Sequence, residues 1–171
     1  MDKINGMIEQ LRKKDYSSFD AFYDCTKKHV FFAIIHIVKD HDLAEDIMQD
    51  TYVRFLEKID QYKKGQNPYA YLSTIGRNLA INEYHKRKRI VTSEAYIETI
   101  PSEPYVEDDD FFTLLSGLDD QSKEVVTLHI VNDLKFREIA KIMDKPLGTV
   151  QWLYHRALKE LREKIGETDE R

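Results

Sequence analysis

Three groups of side chains have types and spacings suited to binding chemistry. Thr149, Gln151, Trp152, His155, Arg156 and Lys159 lie on the outer side of a run whose inner side is Val150, Leu153, Ala157, Leu158 and Leu161, spaced by three and four. On a DNA-binding helix, such polar and cationic groups enter the major groove. A second group lies between Tyr62 and Arg89. Asn78, Asn82, His85 or Lys86, and Arg89 form one helical stripe, with Arg77, Arg87 and Lys88 close by. Tyr62, Tyr69 and Tyr71 gather near its start. Rings stack on unpaired bases, amides reach base edges and cations follow the backbone, which suits single-stranded nucleic acid. The third group, Asp42, Asp46, Gln49 and Asp50, is again three and four apart. A carboxylate face of this kind is either solvated or docks a basic partner. Acid–base or metal chemistry would need a His, a Cys or a glycine-rich phosphate loop nearby, and the sequence places none there. For the first two groups a plainer reading also stands: a helical hairpin with a solvated polar face, and tyrosines that finish a core edge beside a solvated helix end.

These groups need helices to position them. From Phe136 to Arg162 the pattern predicts a helix-turn-helix. Its first helix carries Arg137 and an apolar side of Ile139, Ala140, Ile142 and Met143. Asp144 and Lys145 break the period, Asp being tolerant of left-handed φ, and Pro146 fixes φ for a new helix start. Ala140 keeps the two helices close. Asn67-Pro68 predicts a helix start that runs to about Arg89, with Leu72, Ile75 and Leu79 toward a core. Asp42 to Glu45 has the form of a capping box for a helix to about Ile59, its core side Leu43, Ile47, Phe55, Leu56 and Ile59. Asp15 to Val38 reads as a helix capped by Ser17 or Ser18. Its apolar run VFFAIIHIV marks it as central in a bundle. Residues 1–14 read as a frayed or short helical lead-in. Asp119 is a plausible cap for a helix from Val125 to Val131 that supports the helix-turn-helix.

The chain has 171 residues, enough for one domain or two small ones. The expected fold is all-α, with two small helical domains joined by a flexible acidic linker: residues 1–90, 91–110 and 111–171. The net charge is −5, unusual for a protein that holds DNA unaided. Charge is uneven, however. Positive residues crowd Arg77 to Arg89, while Ile90 to Ser122 has no Lys or Arg and many acids. No apolar run approaches membrane-spanning length, and residues 1–14 lack a secretory signal, so the cytoplasm is the expected compartment. Cys25 is the sole cysteine. With His29 it reads as a buried thiol beside a partly exposed imidazole, and no metal or other cofactor is expected.

At this point the chain resembles an extracytoplasmic function (ECF) sigma factor over Asp15 to Ile165. DLAEDIMQDTYVRFLEKI is similar to the region-two helix that docks on the polymerase clamp. NPYAYLSTIGRNLAINEYHKRKR is similar to the part that opens and reads the minus-ten element. LKFREIAKIMDKPLGTVQWLYHRALKELR is similar to region four, which reads the minus-thirty-five element. The resemblance implies that Asp46, Gln49 and Asp50 contact core RNA polymerase. It implies that Asn78 and Asn82 handle an extruded base, helped by the loop from Tyr62 to Tyr71, with His85 on the same stripe. Arg77 and the run Lys86, Arg87, Lys88 and Arg89 would hold the promoter backbone. Arg137, Thr149, Gln151, Trp152, His155, Arg156 and Lys159 would face the upstream promoter DNA. The acidic linker resembles the connector that threads the channels later occupied by RNA. An anti-sigma factor is an expected partner; a small-molecule substrate and membrane insertion are not. Gln151, Trp152 and Leu153 stand where the family commonly has Lys-Ser-Arg, which leaves the upstream consensus open. Two other classes remain at this stage. A dimeric helix-turn-helix regulator would leave Asn67 to Arg89 unexplained, and a nuclease or recombinase would need a nucleophile or metal cluster.

Overall fold

The computed structural model describes residues 2–93 and 110–169. The chain divides into two compact units, Met1–Pro104 and Tyr105–Arg171. All regular structure among the described residues is helical, as the sequence predicts. The acidic stretch 94–109 lies outside the described residues.

The first unit holds α1 (Asp2–Arg12), α2 (Phe19–Val38), α3 (His41–Glu57) and α4 (Pro68–Ser93). Helix α2 is central because its apolar run leaves no polar side: Phe22, Val30, Phe32, Ala33, Ile34 and Ile35 are all buried. Phe22 stacks on Phe55 of α3 with ring centroids 5.2 Å apart. The buried hydroxyls of Thr26 and Tyr52 satisfy each other at 2.7 Å. Helix α4 crosses close to both neighbours. A Cβ on Gly76 would lie 3.1 Å from Ile34 Cδ1 and 3.2 Å from Thr51 Oγ1, so this approach depends on glycine.

Two local expectations are corrected. The cap of α3 is Asp40, not Asp42: Asp40 is extended and its Oδ1 accepts from Leu43 N at 3.1 Å. Asp15 caps the single 3-10 turn Tyr16–Ser18 that leads into α2, accepting from Ser17 N at 3.1 Å, while Ser18, at the N-cap of α2, makes no side-chain cap bond. Of the two readings of the lead-in the structure shows the short helix: α1 is amphipathic, with Ile4, Met7, Ile8 and Leu11 buried. Its Arg12 donates to the carbonyls of Ile59 at 3.2 Å and Tyr62 at 2.6 Å. The Asn67 cap stands as expected, with Oδ1 accepting from Tyr69 N at 3.0 Å and Ala70 N at 3.3 Å.

The second unit holds α5 (Asp110–Leu115), α6 (Asp120–Ile130), α7 (Phe136–Ile142) and α8 (Leu147–Asp169). Leu115, Leu118, Val126, Ala157 and Leu161 close one core cluster, with Leu114 and Tyr154 packed at its edge. His129 stacks on Phe136 at 4.4 Å and donates through Nδ1 to the Leu134 carbonyl at 2.8 Å, which pins α6 to the start of α7. Asp119 caps α6, accepting from Gln121 N and Ser122 N, each at 3.1 Å. At the α7–α8 turn Asp144 takes φ 50°, the left-handed conformation expected of it. Lys145 N then donates to the Ala140 carbonyl at 2.9 Å. Pro146 precedes α8 rather than opening it, and its carbonyl accepts from Val150 N at 3.2 Å.

Candidate nucleic-acid interface

On α3 the helical period separates two faces. Ile47, Met48, Thr51, Tyr52 and Phe55 are buried, so Asp42, Asp46, Gln49 and Asp50 are left in solvent on the other side. Val53, 54 % exposed, extends that side by one more turn position. Val53 continues the three-and-four spacing from Asp46 and Asp50, which is the signal in the sequence for its place on this side. An apolar side chain kept in water beside carboxylates gives a docking face both a charge and a greasy contact.

The second group is rearranged. Tyr62 is 2 % exposed. Its hydroxyl lies 2.6 Å from Asn5 Oδ1 and 2.7 Å from the Gln66 carbonyl, and burial pushes its pKa up to about 12. Tyr69 is half-buried and stacks on His29 at 4.2 Å. Tyr71 is half-buried, edge-on to Phe55 at 6.2 Å and to Tyr62 at 5.4 Å. Burial raises the pKa of both. These three rings therefore finish the core edge beside the loop that leads into α4. Cys25, read from sequence as buried, is exposed, because its position faces outward on α2 while His29 carries the packing.

The outer side of α4 keeps the amides. Asn78 and Asn82 are exposed, as are His85, Lys86, Arg87, Lys88 and Arg89, while Arg77 is half-buried. Part of this charge is already engaged. Arg87 Nη1 lies 3.2 Å from Asp40 Oδ2 and its Nε 3.4 Å from Glu83, which also takes Lys86 at 3.6 Å. Arg89 Nε donates to the His85 carbonyl at 3.3 Å. The ring that α4 does present to solvent is Tyr84, 49 % exposed and edge-on to His85 at 5.8 Å. Its spacing of seven from Arg77 and four to Lys88 is the signal in the sequence for that position. Lys63 and Lys64 are exposed on the preceding loop, where Gly65 takes φ +91°.

In the second unit, Thr149, Gln151, Trp152, His155 and Lys159 are exposed on α8, and Arg137 is exposed on α7. Val150, Leu153, Ala157 and Leu161 occupy the buried side, which fixes the outward direction of the first set. Arg156 is half-buried and held from several sides. It pairs with the Asp119 carboxylate, its Nε lies 3.0 Å from Glu160, and its guanidinium sits 5.0 Å from the Trp152 ring centre. Partial burial works to raise the pKa of Asp119. Hydrogen bonds from Ser122 and Gln121 and the charge of Arg156 outweigh it and hold the carboxyl below its ordinary value.

Family models match both units: Sigma-70 region 2 over residues 22–90 and Sigma-70, region 4 over residues 109–161. The two units thus define a sigma-70-type protein. A curated relative, the ECF RNA polymerase sigma factor EcfG of Rhodopseudomonas palustris (strain TIE-1), is 32 % identical over 126 residues, 70 % of this chain and 70 % of that protein. The ECF RNA polymerase sigma factor SigW of Bacillus subtilis (strain 168) is 24 % identical over 180 residues, 95 % of this chain and 96 % of that one. Among solved structures, the sigma factor RpoE of Bartonella quintana in complex with the anti-sigma factor NepR superposes with TM-score 0.70. That likeness carries 26 % identity and covers 86 % of this chain and 96 % of RpoE. CnrH, in complex with the cytosolic domain of CnrY, shares the fold with TM-score 0.66 at 18 % identity, over 95 % of this chain and 97 % of that one. The chain belongs to the ECF RNA polymerase sigma factors, and its role is transcription initiation. No helix of the described residues is long and apolar enough to cross a membrane.

Proposed function

We propose that this chain binds core RNA polymerase through the outer side of α3, holds opened minus-ten DNA on α4 and reads the minus-thirty-five duplex with α8. Asp46, Gln49 and Asp50 contact the polymerase clamp. Asn78 and Asn82 receive an extruded base of the non-template strand, with Lys63 and Lys64 on the loop before α4. Arg77 and the run Lys86 to Arg89 hold the promoter backbone. Thr149, Gln151, Trp152, His155 and Lys159 face the upstream groove, and Arg137 approaches it from α7. Residues 1–90 and 111–171 are the two working parts, and residues 91–110 connect them along the polymerase.

The observation that carries this reading is the segregation of charge within the first unit. An exposed carboxylate side on α3 and an exposed amide and cation side on α4 are built over one shared core. The protein is not an enzyme. Strand opening is driven by capture of unstacked bases, which must offset the cost of about a few kcal/mol for unstacking each one. With a net charge of −5 the free chain holds DNA weakly, and polymerase supplies the missing positive surface. The chain works in the cytoplasm. An anti-sigma factor is its natural inhibitor, a reading supported by the fold shared with RpoE bound to NepR. Transcription in vitro from a promoter library, with purified core enzyme, tests the proposal. Footprints should appear with the holoenzyme and weaken with salt. Tight, sequence-specific duplex binding by the chain alone contradicts it.

A further inference from the structure

Trp152 is the exposed side chain of α8 that polar base reading leaves unexplained. It is 57 % exposed, and it lies at the centre of the helix side opposite Val150, Leu153 and Ala157. A solvated indole on a stable helix normally folds back onto an apolar neighbour or finds a partner elsewhere. Here more than half of the indole stays in solvent. One side of it is supported by Arg156, whose guanidinium lies 5.0 Å from the ring centre. That guanidinium is itself fixed by Asp119 and Glu160, so its charge is largely answered before any ligand arrives. Arg156 is therefore a prop for the ring. One turn earlier stands Gly148; beyond its chain neighbours and its own helix backbone, nothing lies within 4 Å of the place its Cβ would take. Side chains on a helix lean toward its N-terminus, so the open space lies on the side to which the indole leans. The result is a rigid apolar contact, propped on one side and unobstructed on the next.

Within a major groove the base edges present donors, acceptors and one apolar group, the C5-methyl of thymine. We propose that Trp152 is a specificity-determining residue that reads thymine in the upstream element through that methyl group. This rests on the proposed docking of α8 in the upstream groove. It predicts that the preferred upstream element of this chain has a thymine at the position facing Trp152. Gln151 and His155, which flank it, contact the neighbouring pairs.

The test uses holoenzyme assembled from core polymerase and the full chain, on a promoter selected from a library. Each upstream thymine is replaced in turn by deoxyuridine, which removes the methyl and keeps every donor and acceptor. Burying one such group is worth about threefold to fourfold in binding. Wild-type holoenzyme should lose about that factor at one position, and Trp152→Ala holoenzyme should be indifferent to the same replacement. Trp152→Leu, which retains an apolar side chain, should keep part of the dependence. Equal sensitivity of wild type and Trp152→Ala to deoxyuridine overturns the proposal, as does indifference of the wild type at every position. A Trp152→Ala defect that persists unchanged on a promoter without an upstream element also overturns it, and points to a protein partner for the ring. Failure of the broader reading looks different, because wild-type holoenzyme would then select no promoter at all.

Discussion

Helices α4 and α8 draw on the same kinds of side chain and place them in opposite ways. At the start of α4 the tyrosines are drawn inward, Tyr62 of the preceding loop fully and Tyr69 and Tyr71 by half, while farther along Asn78, Asn82 and Tyr84 stand in solvent. Along α8 the large ring stands out in solvent, and the nearest arginine is tied to Asp119 and Glu160. Simple chemistry assigns exposed rings to single strands and amides or cations to the duplex. If α4 holds a single strand and α8 a duplex, as proposed, the molecule departs from that rule in both units. In the first unit the rings pack beside the loop that precedes α4, and under the proposed function the amides are the groups left to meet the base. In the second, a ring propped by Arg156 is the apolar group that the proposed docking would turn toward a duplex groove.

The contrast is broken most forcefully at Tyr62. If its ring is core, Tyr62→Ala costs the first unit about 3–5 kcal/mol in denaturant unfolding. Trp152→Ala should cost only about 0.5–1 kcal/mol, the worth of an exposed cation–π contact. Similar losses at the two positions would erase the distinction. Next in size is the N-terminal clasp. Arg12→Ala removes donors to the Ile59 and Tyr62 carbonyls and should cost about 1.5–3 kcal/mol, read by the same unfolding curves. Wild-type stability in that variant would return α1 to the status of a loose lead-in. The double variant Asn78→Ala, Asn82→Ala sharpens the other half of the contrast. Both side chains are exposed, so stability should stay within about 0.5 kcal/mol. Open-complex formation, followed by permanganate reactivity of unpaired thymines, should fall by about tenfold. Unchanged opening would remove the amides from the site.

The smallest effect is one of pH. Burial, helped by Lys28, depresses the pKa of His29, which stacks beneath Tyr69. The fold therefore favours the neutral imidazole. Its contribution is complete above the ordinary histidine pKa of about 6.5 and is lost as pH falls through the lower folded value. The first unit should lose melting temperature on acidification over that range, and His29→Phe should flatten the loss. An identical slope in the variant would show that other groups set it.

Much of this was legible in the sequence because period and cap chemistry act locally. The apolar run of α2, the Asn67-Pro68 start, the Asp119 cap and the left-handed Asp144 all follow from a few adjacent residues. The exposed side of α3 could be read in the same way, since Asp46, Gln49 and Asp50 alternate with buried positions. What the sequence hid depends on distant pairs. Nothing in YKKGQ says that Tyr62 will meet Asn5, or that Arg12 will hold its carbonyl. Asp40 outcompetes Asp42 as a cap because its extended backbone aims Oδ1 at Leu43 N, and its other oxygen is within reach of Arg87. Arg156 looked like a free cation because Asp119, which holds it, is 37 positions away.

The most direct measurement maps RNA start sites made by purified core polymerase on a genomic library, with this chain and with its Asp46→Arg, Asp50→Arg variant. A new set of starts with shared upstream and downstream elements should appear with the wild type. It should vanish with the variant, whose reversed charges oppose docking on a basic clamp. Starts that do not change when the chain is added, or that the variant supports equally well, contradict the account.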